Sequence, residues 1–239
     1  MKRKLALVFG GTRGIGEATV MKLAEQGFDV AFTYVKTTPT TAKQVAITLQ
    51  GYKVDICEFQ EVKSTFAKVA KDFGRSIDCV VANAGINVPL GPIAQFDAET
   101  FRKVVNVNLV GAFHVLTEAA KHVADHGTII GLTTSMVRTN VPGGGPYTAT
   151  KAAVESLLRS MSKELAYRGI RVNGVAPGPV DTDMFHAGKT DEIKARAASL
   201  SPFNRIGRPE EVAEVITFLA SDKASWINGQ IIQPNGGMI

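Results

Sequence analysis

The chain has 239 residues, 45% hydrophobic and 21% charged, enough to bury a sizeable core; its 23 glycines and 10 prolines are dispersed, which excludes a disordered or low-complexity protein. The net charge of +5 comes from 27 Lys and Arg interleaved with 22 acids, with no basic run longer than Lys2-Arg3-Lys4, which argues against nucleic acid as a partner and suits an anionic cofactor or substrate. No apolar stretch reaches membrane-spanning length, and Cys57 and Cys79 make neither a disulfide framework nor a metal site, so a reduced, soluble, cytoplasmic protein is expected.

Basic residues precede an apolar run at the start, as in a signal peptide, but the run stops at glycines after Phe9 and reads as a buried first strand. Short β-branched runs then alternate with helical-period segments, the pattern of an α/β fold with a doubly wound parallel sheet and helices on both faces. Strands are expected near 5–9, 30–34, 52–55, 77–82, 128–133, 171–176 and 230–233, about seven in all. Helices are expected near 14–26, 39–49, 61–72, 98–124, 147–167 and 209–220; the 98–124 segment reads as one long helix or two. No repeat or linker interrupts the series, so 1–239 is expected to be a single domain whose site is built by the long loops at 134–146 and 177–208.

The first strand runs into "GGTRGIG", with glycines at 10, 14 and 16, and then into a helix. Glycines there let the backbone approach a pyrophosphate, and the helix N-terminus offers free N–H groups, so a Rossmann-type dinucleotide site is expected. A second glycine-lysine stretch, "AGKT" at 187–190, lacks the preceding strand and the spacing of a phosphate loop. At the end of the second strand, Tyr34 stands where an NAD site usually carries an acid. Arg13 and Lys36 can reach the same corner, and two cations favour a 2′-phosphate, so NADP(H) is the expected cofactor.

Six motifs in order carry a resemblance to the short-chain dehydrogenase/reductase superfamily, and within it to 3-oxoacyl-[acyl-carrier-protein] reductases: "GGTRGIG" at 10–16, "ANAGI" at 82–86, "NVNLVG" at 106–111, "YTATK" at 147–151, "RVNGVAPGPVDT" at 171–182 and "INGQIIQPNGG" at 227–237. Phe9 and Ala82 depart from residues usual in the family, threonine and asparagine, and are expected to change packing rather than activity. The catalytic serine position, thirteen residues before the tyrosine, holds Thr134, with Ser135 beside it.

The resemblance implies that Tyr147 is the acid or base of a hydride transfer between nicotinamide and a ketone or secondary alcohol. Lys151, together with a positively charged nicotinamide, would lower its pKa, hold the nicotinamide ribose and relay protons through a water anchored by Asn108. A hydroxyl of Thr134 or Ser135 would bond the substrate oxygen; alignment favours the first and residue type the second. By the same resemblance Gly10, Thr12, Arg13, Gly14, Ile15 and Gly16 would cradle the phosphates. Asp55 and Ile56 would border the adenine, Asn83, Ala84 and Gly85 the adenosine ribose, and Pro177, Gly178, Val180 and Thr182 the carboxamide. Bland alternatives are a strand-end cap for Asp55, a helix cap for Thr182 and a plain helix residue for Asn108.

The histidines at 114, 122, 126 and 186 do not pair at metal spacing, and His186 falls in the expected lid at 183–206. That lid mixes Met184, Phe185 and Phe203 with Lys189, Lys194 and Arg196, which permits either an apolar ketone or an acyl thioester on an acidic carrier. Two further readings stand beside the reductase: a catalytically silent dinucleotide-binding regulator, and another adenosine-cofactor enzyme such as a methyltransferase, which leaves "YTATK" unexplained. Excess apolar surface on 98–124 (Val104, Val107, Val110, Phe113, Val115) and 147–167 (Ala152, Val154, Leu157, Leu158, Met161), with the family habit of pairing these helices, points to a homotetramer.

Overall fold

The alternation of buried runs and helical segments produces one parallel sheet, ordered β3-β2-β1-β4-β5-β6-β7, in a computed structural model that describes residues 3–36 and 48–239. The strands are β1 (Leu5–Phe9), β2 (Asp29–Tyr34), β3 (Leu49–Lys53), β4 (Ile77–Ala82), β5 (Val123–Leu132), β6 (Arg171–Val175) and β7 (Ile231–Ile232). The order reverses between β1 and β4, and in such sheets the crevice at the carboxyl ends of the strands beside that reversal receives ligands.

Helices α1 (Gly14–Glu25), α2 (Phe59–Phe73), α3 (Ala98–Val105), α4 (Ala112–His122), α5 (Met136–Thr139), α6 (Gly145–Glu164), α7 (Asp183–His186), α8 (Asp191–Ser199) and α9 (Pro209–Ala220) complete the described chain. Two apolar clusters, one per sheet face, cover it: Leu5, Leu7, Phe9, Phe66, Leu116 and Leu158 belong to one, Val8, Leu23, Phe32, Ile130, Ile216 and Leu219 to the other. A strand buried on both faces carries continuous apolar residues, which is why β1 is legible as an unbroken hydrophobic run and β4 as one interrupted only by Asp78.

The third strand is earlier than expected. It occupies Leu49–Lys53 because Val30 to Tyr34 of β2 pair with Leu49 to Lys53, so Leu49, expected to end a helix, opens a strand. The rest of the helix expected near 39–49 lies outside the described residues. The 98–124 segment is a single helical run to His122 interrupted by a π turn, Asn106–Gly111. One inserted residue shifts the apolar periodicity midway, which explains why it reads as either one helix or two. In this run Val104 and Val115 are buried, whereas Phe101, Val110 and Phe113 stay exposed. No helix among the described residues is long and apolar enough to cross a membrane.

Phe9 shows what the departure from threonine does: its ring is buried and packs on Phe66 with centroids 5.7 Å apart, while its backbone pairs with Ala82. The two unusual residues therefore pair across β1 and β4, Phe9 in the core and Ala82 half-buried against it.

Candidate active site

The glycine turn closes on itself. A Cβ on Gly16 would lie 1.9 Å from the Gly10 carbonyl oxygen and 2.5 Å from Asn83 Nδ2, so only glycine fits, and Asn83 Nδ2 donates to that same carbonyl at 2.8 Å. Gly10 has a positive φ of 77°, which a side chain would strain. Arg13 stands at the N-cap of α1 without a side-chain cap, leaving the first N–H groups of the helix facing the turn that Thr12, Gly14 and Ile15 share. Such a cradle fits a pyrophosphate: it presents donors and no side chain. Gly14 also meets Thr182, whose methyl would lie 2.9 Å from an added Cβ, so the loop after β6 folds over the turn.

Tyr34 ends β2, and Lys36 is exposed just beyond it; among the described residues neither Lys36 nor Arg13 has an ion-pair or hydrogen-bond partner of its side chain. Asp55 uses its carboxylate locally, accepting the N–H of Cys57 at 2.9 Å, and Ile56 turns its side chain inward against Gly111. Val180 is buried and bridges Gly207, Thr182 caps α7 by accepting from the Phe185 N–H at 3.2 Å, and Gly178 donates its N–H to Pro234. The local caps expected as bland alternatives for Asp55 and Thr182 are thus present.

At the end of β5 the chain supplies the reactive groups. The Thr134 side chain lies close enough to the Tyr147 phenol to lower its pKa, while its hydroxyl accepts the Met136 N–H at 3.2 Å, whereas the Ser135 hydroxyl donates to the Ala176 carbonyl at 2.7 Å and receives Asn235 Nδ2 at 3.2 Å. Ser135 is therefore committed to holding β6 and the C-terminal segment, which leaves Thr134 as the hydroxyl that acts on the phenol. Lys151 is buried one turn after Tyr147 and donates to the Leu132 carbonyl at 2.9 Å. Ala84 packs beneath Gly10. Gly85 has no side chain between Lys151 and Asn108: a Cβ there would lie 3.4 Å from Lys151 Nζ and 3.1 Å from Asn108 Oδ1.

Asn108 is fully buried inside the π turn and exchanges two hydrogen bonds of 2.8 Å with the backbone of Ile86. The structure thus draws Tyr147, Lys151, Thr134 and Asn108 together around the strand ends. Burial pushes the Tyr147 phenol up to about 12, opposed by the neighbouring Thr134 hydroxyl. Burial likewise brings Lys151 down to about 8. A phenol so placed is protonated at neutral pH and able to donate.

What sequence reading missed is the carboxylate of Glu155, buried one turn after Lys151 and gripped by Arg138. A glutamate amid apolar helix positions, followed four residues later by arginine, was the available signal. A cavity of about 490 Å³ between β3 and α2 includes Tyr34 but none of the reactive groups.

A glycine-cradled switch point with a Tyr and a Lys four apart on the helix after β5 defines a dinucleotide-dependent oxidoreductase frame. The chain belongs to the short-chain dehydrogenase/reductase superfamily: a family model described as Enoyl-(Acyl carrier protein) reductase matches residues 10–239. It resembles the 3-oxoacyl-[acyl-carrier-protein] reductase FabG of Staphylococcus aureus (37% identical over 244 residues, 98% of each chain). It is also similar to the NADPH-dependent aldehyde reductase 2, chloroplastic, of Arabidopsis thaliana (38% over 256 residues, 99% of this chain and 94% of the relative). Among solved structures, a short-chain dehydrogenase/reductase from Serratia marcescens superposes with a TM-score of 0.90 at 32% identity, covering 98% of this chain and 97% of that one. A short chain dehydrogenase from Burkholderia cenocepacia in complex with NADP gives 0.89 at 32% identity with the same coverage.

Proposed function

We propose that the protein reduces aldehydes and ketones with NADPH, its whole length forming one catalytic domain. The observation that carries this reading is the Tyr147 phenol beside Thr134, with the buried Lys151 one helical turn behind it and held by the Leu132 carbonyl. Gly10 to Gly16 would hold the pyrophosphate, Asn83 to Gly85 the adenosine ribose, Pro177 to Thr182 the carboxamide, and Arg13 with Lys36 the 2′-phosphate. When bound, NADPH supplies the hydride that reaches the carbonyl carbon.

The chain's own residues manage the oxygen. Thr134 donates a hydrogen bond where negative charge grows, and Tyr147 delivers the proton that neutralises it. Lys151, held by Leu132, places an ammonium beside the phenol and the nicotinamide ribose and restores the proton afterwards. Asn108 spends one lone pair and one N–H on the Ile86 backbone, which pins the π turn beside that ammonium, and it would anchor the relay water with what remains.

The lid supports a small apolar carbonyl over an acyl chain on an acidic carrier. Two of its cations are engaged within it: Lys189 lies 4.8 Å over the Phe185 ring and donates to the Phe185 carbonyl, and Lys194 pairs with Asp191 at 2.9 Å. The similarity to an NADPH-dependent aldehyde reductase points the same way, while the FabG likeness keeps 3-oxoacyl thioesters as the second reading. The test is NADPH oxidation across aliphatic and aromatic aldehydes, cyclic ketones, and 3-oxoacyl thioesters with and without carrier protein. Turnover confined to carrier-bound thioesters would reverse the preference; none at all, with NADPH bound, would leave a silent binding protein. The exposed Phe101, Val110 and Phe113 support a homotetramer, which light scattering against the 25.5 kDa chain mass will check.

A further inference from the structure

The carboxylate of Glu155 lies inside the protein, 2% exposed, with both oxygens taken. Oε1 accepts from Arg138 Nη1 at 2.6 Å and from the Thr133 hydroxyl at 3.1 Å; Oε2 accepts from Arg138 Nη2 at 2.7 Å and from Arg159 at 3.3 Å. A buried ion pair contributes little net stability, because desolvation offsets most of the attraction, so its presence calls for another use. Its neighbours suggest one. Leu132, Thr133 and Thr134 leave β5 in succession toward three residues of α6 spaced four apart, on one face: the Leu132 carbonyl accepts from Lys151, the Thr133 hydroxyl donates to Glu155, and Thr134 stands beside the Tyr147 phenol. Arg138 returns from α5, where its N–H bonds the Ser135 carbonyl, and closes the arrangement in a two-pronged grip that a lysine cannot reproduce.

We infer that Glu155 and Arg138 are positioning residues that set the register between the end of β5 and α6, and thereby hold the Thr134 hydroxyl against Tyr147. Neither touches the substrate; they act through Thr133 and α5. The inference rests on the reductase reading only for its kinetic arm.

Its test uses Arg138→Met combined with Glu155→Leu, which leaves no unpaired buried charge. The double variant keeps NADPH affinity within about twofold and lowers kcat by about 10- to 100-fold, the scale of a sub-ångström misplacement. Adding Thr134→Val to it costs less than about twofold more, although the same change in the wild type is expensive, because both act on one contact. The ¹³C signal of the Tyr147 ζ carbon, assigned by its loss in Tyr147→Phe, moves in the double variant as it does in Thr134→Val. Arg159→Ala, at the exposed edge of the cluster, changes neither readout. Arg138→Lys keeps the charge but not the fork, so it lowers kcat several-fold with the same signal movement, and it carries the test should the double variant not fold. A kcat at the wild-type level, a full additional loss from Thr134→Val, or an unmoved Tyr147 signal overturns the inference. If the wild type reduces no carbonyl, the functional reading fails, and the Tyr147 signal still decides this one.

Discussion

The junction of β5 with α6 and the lid above it are built in opposite ways. Residues 127–135 are all buried, and the polar groups there are matched to partners on α6 or β6. In the lid no residue from 181 to 200 is buried, and its polar contacts, Asp181 with His186 at 2.6 Å and Lys194 with Asp191, lie at the surface. Water competes with surface pairs and hardly with buried ones, so the first region holds one geometry while the second can change its contacts at small cost. On the proposed reading, chemistry falls in the region that cannot shift and selection in the region that can.

The largest effect expected from breaking the buried side is that of Tyr147→Phe, which removes the proton donor and keeps the ring. Turnover should fall about a thousandfold with NADPH binding nearly unchanged. A variant retaining a tenth of the rate would remove Tyr147 from the reaction.

Next comes the division between two adjacent hydroxyls. Thr134→Val should cost about a hundredfold in kcat. Ser135→Ala should instead lower stability by about 1–2 kcal/mol, since it strands the Ala176 carbonyl, and leave kcat within a few-fold. Denaturant titration beside steady-state kinetics separates the two, and exchanged phenotypes would reverse the assignment.

An exposed pair sharpens the contrast from the selective side. Arg13→Ala with Lys36→Ala should reduce the preference for NADPH over NADH by about 10- to 100-fold in kcat/KM, the worth of charge-assisted contacts to one phosphate. Equal losses with both cofactors would show that neither cation meets it.

Burial of Lys151 has a pH signature. With its pKa brought to about 8, kcat/KM for reduction should fall about tenfold per pH unit above that value as the ammonium is lost. The folded chain then holds fewer protons at Lys151 than the unfolded chain between about pH 8 and the ordinary 10.5. In that window this group makes stability rise with pH, and Lys151→Met removes the rise. Above it Tyr147, raised from 10.0 to about 12, does the reverse: the folded chain holds more protons, and stability falls as pH climbs from 10 to 12. Chemical denaturation of wild type and Lys151→Met from pH 7 to 10 measures the first difference; a flat difference would mean that burial does not perturb the lysine.

The smallest effect lies in the lid. His186→Ala removes an exposed contact, so KM for the carbonyl should change by no more than about fivefold with kcat nearly constant. A large fall in kcat would give the lid a part in the chemistry.

The legibility of the chain follows the same division. A strand buried on both faces, such as β1, announces itself as an unbroken apolar run, and the glycines at 10, 14 and 16 mark a turn whose tightness the Gly16–Gly10 contact explains. Tyr147 and Lys151 are readable because one helical turn separates them. The choice between Thr134 and Ser135 was not, since it depends on which hydroxyl β6 and Asn235 claim, a long-range matter. Nor was the early start of β3, where pairing with β2 overrides the local apolar pattern of 52–55. The π turn also escaped: nothing in "NVNLVG" alone says that an extra residue will be accommodated there.

The base of the lid has a consequence for engineering. Asp181 donates its N–H to the Gly207 carbonyl at 2.8 Å, and Gly207 donates back to Pro179 at 2.9 Å, so the two ends of the excursion are stitched together, and Ser201 ties its returning arm to the Gly236 carbonyl at 2.7 Å. A loop anchored in this way behaves as a cassette. Its ends are already held together, and lengthening such a segment costs closure entropy only logarithmically, about 0.6 kcal/mol per doubling. Segments of other lengths and compositions grafted after Thr182 and before Ser201 are therefore expected to be accommodated while the scaffold beneath them stays as it is.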